Sequence, residues 1–386
     1  MQRKITTTRI IEYACVLLLT AIIFLPIIHS EIYVASVGES DYSYHTQWAR
    51  SSLEAPQEVP KYILIHSAWQ WAVVGTHLIL GRSWQAAALV VTLGSIFLTV
   101  GILFWLFRKK LSSFLSGVLA IGLVVVTPLA FLYPLDQRLY LGYIGTTIYH
   151  NPTLILLKPF AILQLIISVE AIQGKNSGWK GILAAALVSS VAVFAKPSYV
   201  LCLLPGLGIL TLLRIWQKKP IDWKRIIIGI ILPSIAFLVW QFIFTYGSNE
   251  ESTLILAPFS VMRSYSSWLP IKFILSIVFP LVLTGVYWKE AIKDTRIQLG
   301  WLGFGIGVVL TYFFAESGVR LPHGNFTWSG IISLFILFVC CALFLVEKRL
   351  PAKKRVSRWL ILASGALHLI FGVIYYLVVL FTRQYS

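Results

Sequence analysis

Residues 84–110 read WQAAALVVTLGSIFLTVGILFWLFRKK, an uncharged apolar run that ends in three basic residues. The run from Trp84 to Phe107 exceeds the roughly 18 to 20 residues that a helix needs to cross about 30 Å of hydrocarbon. Because Lys and Arg beside a span resist translocation, Arg108, Lys109 and Lys110 assign this end of the helix to the cytoplasm. The stretch therefore predicts a membrane-spanning helix of known direction.

Similar apolar runs recur along the whole chain. The 386 residues are 58% hydrophobic and 12% charged, whereas a soluble domain carries about 25% charged residues. We expect an all-α membrane protein with about 11 transmembrane helices, forming a single domain over residues 1–386. The predicted spans are residues 10–28, 84–107, 111–133, 153–171, 181–196, 199–216, 226–246, 268–288, 297–315, 328–346 and 359–382.

The charges predict the orientation of these spans. Basic clusters occupy alternate loops, near residues 3–9, 108–110, 175–180, 214–225, 289–296 and 348–358. This places the amino terminus inside, the carboxyl terminus outside, and the outer loops at residues 30–83, 134–152, 247–267 and 316–327. The net charge of +17 is then a topology signal and an attraction to anionic lipid, which removes the support for nucleic-acid binding.

The apolar stretch from Pro60 to Leu80 is expected not to span the membrane. If it did, Arg108 and its basic neighbours would lie outside. His66, Gln70 and His77 fall on one face of a helix at 100° per residue, and apolar residues cover the rest. The stretch predicts an amphipathic helix lying in the membrane interface, within the large first outer loop.

The first outer loop also carries two acids, in the sequence VGESDYSYH at residues 37–45. In a strand-like segment Glu39 and Asp41 would face the same way. Such a pair suits gripping a divalent cation or holding a hydroxyl for deprotonation. The alternative is an ordinary solvated loop.

Cationic residues mark the other outer helix ends. Arg138 and His150 lie in the loop before the fourth span, and Lys158 follows within that span. A lysine there either reaches the interface or meets an anion. In FAKPSY, residues 194–199, Pro197 breaks the helix beside Lys196, which predicts either a seat for a lipid phosphate or a plain turn.

A last polar segment, ESGVRLPHGN at residues 316–325, contains Glu316, Arg320, His323 and Asn325. Its Gly and Pro content predicts a loop between the ninth and tenth spans. The outer face thus gathers acids, histidines and arginines above a hydrophobic bundle.

This pattern resembles the GT-C superfamily of polytopic glycosyltransferases, which use sugars carried on polyprenyl phosphate or diphosphate. Members bear a modified DxD motif in a large first outer loop, where Glu39-Ser40-Asp41 stands here. Juxtamembrane amphipathic helices in that loop are matched in kind by Pro60 to Leu80. The Lys-Pro-Ser step of bacterial members is similar to Lys196-Pro197-Ser198.

The resemblance implies a site and its partners. Asp41 would be the general base, and Glu39 would assist it or join it in binding a divalent cation, Mg or Mn. The implied substrate-binding residues are His45, Arg138, His150, Lys158, Lys196, Arg320 and His323. The donor would be a polyprenyl-phosphate sugar and the acceptor a glycan, lipid or protein. The setting would be a bacterial plasma membrane, with the site facing the periplasm or exterior.

Three other functions compete with this interpretation. A transporter or flippase of a lipid-linked or anionic solute would place polar residues at the bilayer midplane, whereas the predicted span centres are nearly free of charge. An outer-face polysaccharide polymerase or ligase is a neighbouring transferase class that the sequence does not separate. A scaffold without chemistry does not explain an outer loop so rich in His, Trp and acid.

Overall fold

The computed structural model describes residues 7–35, 40–247, 253–348 and 355–382, and within them nearly every element is a helix. The α-helices are α1 Thr7–His29, α2 Asp41–Glu54, α3 Lys61–Leu64, α4 Ala68–Leu80, α5 Trp84–Arg108, α6 Ser113–Val125, α7 Tyr133–Asp136, α8 Pro152–Ile172, α9 Gly178–Ala195, α10 Ser198–Trp216, α11 Leu232–Tyr246, α12 Ser260–Tyr265, α13 Leu269–Ser276, α14 Val278–Val286, α15 Trp288–Ala291, α16 Thr295–Phe313, α17 Thr327–Lys348 and α18 Arg355–Thr382. Turns of π-helix cover Ser30–Val34 and Arg225–Ile231, and turns of 3-10 helix cover Pro56–Glu58 and Gly318–His323.

Nine helical segments in these ranges are long and apolar enough to cross a membrane. They are Thr7–Val34, Trp84–Arg108, Pro152–Ile172, Gly178–Ala195, Ser198–Trp216, Arg225–Tyr246, Thr295–Phe313, Gly318–Lys348 and Arg355–Thr382. A tenth is obtained if α13 and α14, bent by 58° at their junction, count as one span. The prediction of a multi-span helical membrane protein is confirmed, and its direction in the membrane stays a prediction.

The predicted count of eleven is too high for the described residues, because residues 111–133 do not form one long helix. Helix α6 ends at Val125 after 13 residues, and Pro128 interrupts the run that follows. The amides of Thr127 and Leu129 instead donate to the carbonyl oxygens of His368 and Leu275. Tertiary hydrogen bonds thus replace the helix in the second half of the predicted span.

His368, the one histidine expected within a span, connects two interrupted helices. Its Nδ1 donates to the carbonyl oxygen of Thr127 at 2.6 Å. Its Nε2 accepts from the backbone amide of Phe279 at 3.3 Å, at the start of α14. The neutral ring therefore satisfies one backbone group after α6 and another at the bend between α13 and α14.

The expected amphipathic helix over residues 60–80 is wrong in two respects. The segment forms two helices, α3 and α4, with a break at residues 65–67. Its polar face turns toward protein: Gln70 is buried beside Trp69 and Val73, while Leu78 and Ile79 are exposed. The reason is helix α2, which packs on α4 and supplies polar partners. Whether α4 lies in the membrane interface stays a prediction.

Helix α17 forms the core of the bundle, since nearly all of its residues from Ser329 to Phe344 are buried. It packs against α8, α10, α14 and α16. A small antiparallel sheet lies beside its outer end, where β1 Leu254–Leu256 pairs with β2 Phe314–Glu316. Residues from two predicted outer loops are therefore joined, in addition to the expected helices.

Candidate functional site

Asp41 stands at the start of helix α2, where Ser40 accepts the Tyr42 amide as the N-cap. Its side chain is half-buried. The Asn151 side-chain amide donates to Asp41 Oδ2 at 2.6 Å. A carboxylate at a helix amino terminus, with one oxygen held by an amide, is fixed in orientation.

Asn151 holds this position because it is itself the N-cap of helix α8. Its Oδ1 accepts the Leu154 amide at 2.9 Å and the Thr153 hydroxyl at 3.0 Å, and Pro152 occupies the first helical position. With Oδ1 committed to the helix end, its amide nitrogen points outward to Asp41. Asn151 thus connects the start of helix α2 to helix α8.

Lys196 approaches the same asparagine from the break between α9 and α10. The predicted interruption is present, since α9 ends at Ala195 and α10 begins at Ser198. Lys196 Nζ donates to Thr153 Oγ1 at 3.1 Å and to Asn151 Oδ1 at 3.4 Å. The structure therefore brings Asp41 and Lys196 to opposite ends of one asparagine side chain.

The Lys196 ammonium lies 4.6 Å from the ring centroid of Trp328, on helix α17. Burial lowers the pKa of Lys196 to about 8, and the negative charge of Asp41 partly opposes this shift. Among the residues that the structure describes, the ammonium form thus contacts neutral oxygens and an aromatic face, and no carboxylate lies within ion-pair distance of it. Such a cation is well suited to receive an anion.

Two histidines lie beside Asp41. His45 follows it by one helical turn, and its Nδ1 accepts from Gln70 at 2.8 Å. Burial lowers the pKa of His45 to about 4, Asp41 opposes the shift, and Lys196 adds to it. His150 contacts the rings of Tyr140 and Trp328 at 6.1 and 6.2 Å, and burial lowers its pKa too. Both rings are neutral near pH 7.

Arg320 belongs to a neighbouring polar group around Glu316. Arg320 Nη2 contacts Glu316 Oε1 at 3.0 Å, and the Tyr246 hydroxyl donates to the same oxygen at 2.7 Å. Asn325 donates to Glu316 Oε2. His323 is exposed on the adjoining 3-10 turn, so the structure does not bring it to Asp41.

His66, which the sequence did not single out as a site residue, is influenced by the charges of both Lys196 and Arg320. Burial lowers the pKa of His66 to about 3, and the positive charges of Lys196 and Arg320 lower it further. The Gln241 amide donates to the carbonyl oxygens of Ile65 at 2.9 Å and Val193 at 3.0 Å. Gln241 thereby holds the turn containing His66 against the outer end of α9.

Lys158 lies inside the bundle on helix α8, only 3% exposed. Its ammonium lies 4.6 Å from the ring centroid of Phe335, which is seven residues, or about 10 Å of helix, beyond Trp328 on α17. Nowhere in the described ranges does a carboxylate come within ion-pair distance of it. Lys158 is therefore separate from the Asp41 group and lies deeper.

Arg138 belongs to a different cluster, centred on Asp136 and Lys272. The Arg138 backbone amide donates to Asp136 Oδ1 at 3.1 Å, and Ser266 donates to Asp136 Oδ2 at 3.0 Å. Lys272, with no exposed surface, contacts Asp136 Oδ2 at 2.5 Å and donates to the Leu141 carbonyl at 2.9 Å. Burial acts to raise the pKa of Asp136, but the hydrogen bonds from Lys272 and Arg138 outweigh it and lower the pKa.

At position 142 the backbone lies so close to the side chains of Ser266 and Lys272 that only glycine fits. Gly142 has φ of 84°, and a Cβ there would lie 2.6 Å from Ser266 Cβ and 3.2 Å from Lys272 Cδ. Lys272 is not among the residues predicted for the site. The available signal was a lysine alone in the apolar run LPIKFILS, residues 269–276.

The divalent-cation site that the resemblance implies stays a prediction. Among the described residues, Asp41 is the carboxylate that contacts Asn151, whose amide holds its Oδ2, and Lys196 contacts the Oδ1 of the same asparagine. Across residues 7–35, 40–247, 253–348 and 355–382, no three His, Cys, Asp or Glu side chains are grouped to hold a metal ion. Glu39, the other predicted ligand and catalytic residue, lies outside the described residues.

The geometry thus joins Asp41 and Lys196 through Asn151, with His45 one helical turn from Asp41 and His150 next to Asn151 in the chain, and it leaves Arg138, Lys158 and His323 elsewhere. The predicted outer-face grouping therefore holds for only part of the proposed set. Comparison of the chain with protein-family models, with characterised proteins and with solved structures finds no match.

Proposed function

We propose that the protein is a glycosyltransferase of the GT-C type, which transfers a sugar from a polyprenyl-phosphate donor to an acceptor at the outer face of the plasma membrane. The observation that carries this proposal is the hydrogen-bonded unit Asp41–Asn151–Lys196. It holds a carboxylate and a half-buried cation a fixed distance apart at the end of a membrane bundle. Transfer of a sugar from a lipid phosphate requires two groups, a base for the acceptor hydroxyl and a binding site for the phosphate anion.

In this reaction Asp41 takes the proton of the acceptor hydroxyl as its oxygen attacks the anomeric carbon of the sugar. The bond between the anomeric carbon and the phosphate oxygen breaks, and its electron pair stays on the phosphate. Lys196 neutralises the charge that develops there, which in a low-dielectric site is worth more than in water. A phosphate leaving group needs no acid, so the neutral His45 and His150 are not required as proton donors.

The acceptor hydroxyl and the phosphate lie on opposite sides of the reacting carbon in a direct displacement. Asn151 supports this arrangement because it separates Asp41 from Lys196 without allowing a salt bridge between them. A direct ion pair would neutralise both groups and occupy the place of the substrate. The asparagine keeps the base free to accept a proton and the lysine free to bind phosphate.

Lys158 is the observation that favours a second function. A lysine enclosed within a membrane bundle, without a carboxylate in contact, is typical of a transport pathway for an anion. A flippase of a lipid-linked anionic solute would use such a residue. The transferase is preferred because its two essential groups are joined by hydrogen bonds, whereas Lys158 stands alone.

Removal of the gene from its cell tests the two functions together. We expect the lipid-linked sugar donor to accumulate on the outer face of the membrane, where a membrane-impermeant sugar oxidant reaches it in intact cells. Re-expression of the wild-type chain should restore the ordinary level. Accumulation on the inner face would favour the flippase, and an unchanged lipid-linked sugar pool would contradict the transferase.

The pKa of Lys196 predicts how phosphate binding depends on pH. The ammonium form binds the anion, and the free protein loses that form as the pH rises through about 8. We expect the Kd of a short-chain polyprenyl phosphate, measured in nanodiscs, to rise by up to about tenfold per pH unit above that value.

Lys196→Arg is the matched control, because a guanidinium stays charged throughout this range. Its Kd should change little between pH 8 and pH 10, even if arginine binds more weakly overall. The same pH dependence in both proteins would show that another group causes it, and Lys196 would then not be the phosphate ligand.

A further inference from the structure

Three tyrosine rings form a stack beside the Asp41 group. Tyr375, on helix α18, packs between Tyr140 at 6.3 Å and Tyr149 at 5.8 Å, measured between ring centroids. Tyr149 and Tyr375 are only 2% and 3% exposed, whereas Tyr140 is half-exposed. The stack therefore runs from the interior of the bundle to its accessible outer end.

The two inner hydroxyls have no protein partner. Neither Tyr149 Oη nor Tyr375 Oη makes a hydrogen bond to any residue that the structure describes. A buried tyrosine ordinarily satisfies its hydroxyl, because leaving it unpaired loses the hydrogen bonds it would make to water. Two such hydroxyls on stacked neighbouring rings indicate a place where a polar ligand supplies the partner.

A buried carboxylate lies near the same stack. Glu31, 4% exposed, lies in the π-helical turn Ser30–Val34 that follows α1, a kind of turn often found at functional sites. The turn packs against helix α2, which begins at Asp41, and helix α1 before it packs against α18, which carries Tyr375. The sequence analysis did not select this acid.

The stack is continuous with the proposed catalytic unit on the side of the base. Tyr140 meets the His150 ring edge-on at 6.1 Å, and His150 immediately precedes Asn151. The charge of Asp41 acts on Tyr140 and raises its pKa, although burial is the larger cause. The Lys196 ammonium lies at Trp328, the other aromatic neighbour of His150.

We propose that Glu31, Tyr140, Tyr149 and Tyr375 bind a sugar unit of the acceptor, which makes the acceptor a carbohydrate. Sugars present both hydroxyl groups and apolar C–H faces, and a wall of tyrosines with a carboxylate offers partners for both. The site lies beside Asp41 and away from Lys196, where the acceptor must be if the phosphate leaves toward Lys196. This inference rests on the proposed transferase function.

With such an acceptor, every bond, electron pair and proton of the transfer is accounted for. One hydroxyl of the bound sugar loses its proton to Asp41, and its oxygen forms the new bond to the donor's anomeric carbon. The carbon–oxygen bond to the phosphate breaks, and the phosphate leaves with the electron pair. The products are a glycan longer by one sugar and a free polyprenyl phosphate, with the proton left on Asp41.

Removing single hydroxyl groups tests the proposal. In nanodiscs, the wild-type protein should bind at least one of a panel of methyl glycosides of hexoses, pentoses and N-acetylhexosamines. Tyr149→Phe and Tyr375→Phe should each weaken that binding by up to about tenfold. The Tm of each variant should stay the same or rise, because the deleted hydroxyl had no partner in the free protein.

Tyr376→Phe is the matched control, since Tyr376 is the next residue and its hydroxyl donates to the Ile23 carbonyl at 2.5 Å. It should lower the Tm and leave glycoside binding unchanged. The proposal is overturned if no glycoside binds, if Tyr149→Phe and Tyr375→Phe bind it as the wild type does, or if both lose Tm as Tyr376→Phe does.

Binding of a short-chain polyprenyl phosphate, measured on the same samples, distinguishes failure of the carbohydrate-acceptor proposal from failure of the transferase proposal. If the phosphate binds and depends on Lys196 while no glycoside binds, the donor side of the transferase is supported and the carbohydrate acceptor is wrong. If the phosphate does not bind, the transferase proposal fails first. Phosphate binding should be unchanged in both tyrosine variants.

Discussion

Asp41→Asn should reduce sugar transfer by about 100- to 10,000-fold, the range typical for loss of a general base. Asparagine has the same shape as aspartate, and its side-chain oxygen can still accept the Asn151 amide that now binds Asp41 at 2.6 Å. The helix start and the connection to α8 should therefore survive. What the variant loses is the ability to take a proton from the acceptor.

The measurement is complementation of cells that lack the protein, with the lipid-linked sugar quantified by mass spectrometry. Cells with Asp41→Asn should accumulate the donor as fully as cells with no protein. Glu54→Gln is the matched control on the same helix, because Glu54 is exposed and its pair with Arg50 contributes little. Ordinary donor levels with Asp41→Asn would remove Asp41 from the mechanism.

Purified Asp41→Asn should also keep its affinity for polyprenyl phosphate. The phosphate ligand is Lys196, whose contacts to Thr153 and Asn151 do not require the carboxylate. Intact binding together with lost transfer would assign Asp41 to the chemical step. Loss of both would instead indicate that the carboxylate organises the site as a whole.

The helical bundle was largely readable from sequence because span length and charge are local properties. The run at residues 84–107 and helix Trp84–Arg108 agree within a residue, and Pro197 ends a helix where a proline should. The span predicted over residues 111–133 was wrong for the opposite reason, since local properties alone do not decide where its helix ends. These residues are mostly apolar, and Pro128 together with contacts to distant His368 and Leu275 decides where the helix ends.

From the sequence, single residues of the site could be predicted, but not the contacts that bring them together. Asp41 and Lys196 each stood out locally, as an acid after a span and a lysine beside a proline. Their connection through Asn151 joins residues more than a hundred positions apart, and no local pattern predicts it. The tyrosine stack was missed because Tyr149 and Tyr375 come from opposite parts of the chain.

Lys272 shows the same limit for stability. An apolar run with one lysine suggests either a snorkelling side chain or an unsuspected partner, and the partner, Asp136, ends the short helix α7 far away in sequence. The pair fastens the segment after α7 to helix α13. That segment continues to His150 and Asn151, so the Lys272–Asp136 ion pair helps to position the proposed unit Asp41–Asn151–Lys196.

Lys272→Met should therefore destabilise the protein by about 3–5 kcal/mol, as expected when one member of a buried ion pair is removed. Methionine fills a similar volume but leaves the Asp136 carboxylate with only the Ser266 hydroxyl and the Arg138 amide. The Leu141 carbonyl also loses its donor. The free energy of unfolding, from SDS titration in mixed micelles, measures the loss.

The double variant Lys272→Met/Asp136→Asn decides whether the loss comes from the uncompensated charge. Removing the carboxylate charge as well should recover most of the stability, because a neutral amide is far less costly to bury than an unpaired anion. Arg50→Met is the matched control, since it breaks an exposed i,i+4 pair worth less than about 1 kcal/mol. A double variant as unstable as Lys272→Met alone would mean that packing around Gly142 and Tyr143, rather than the ion pair, holds this segment in place.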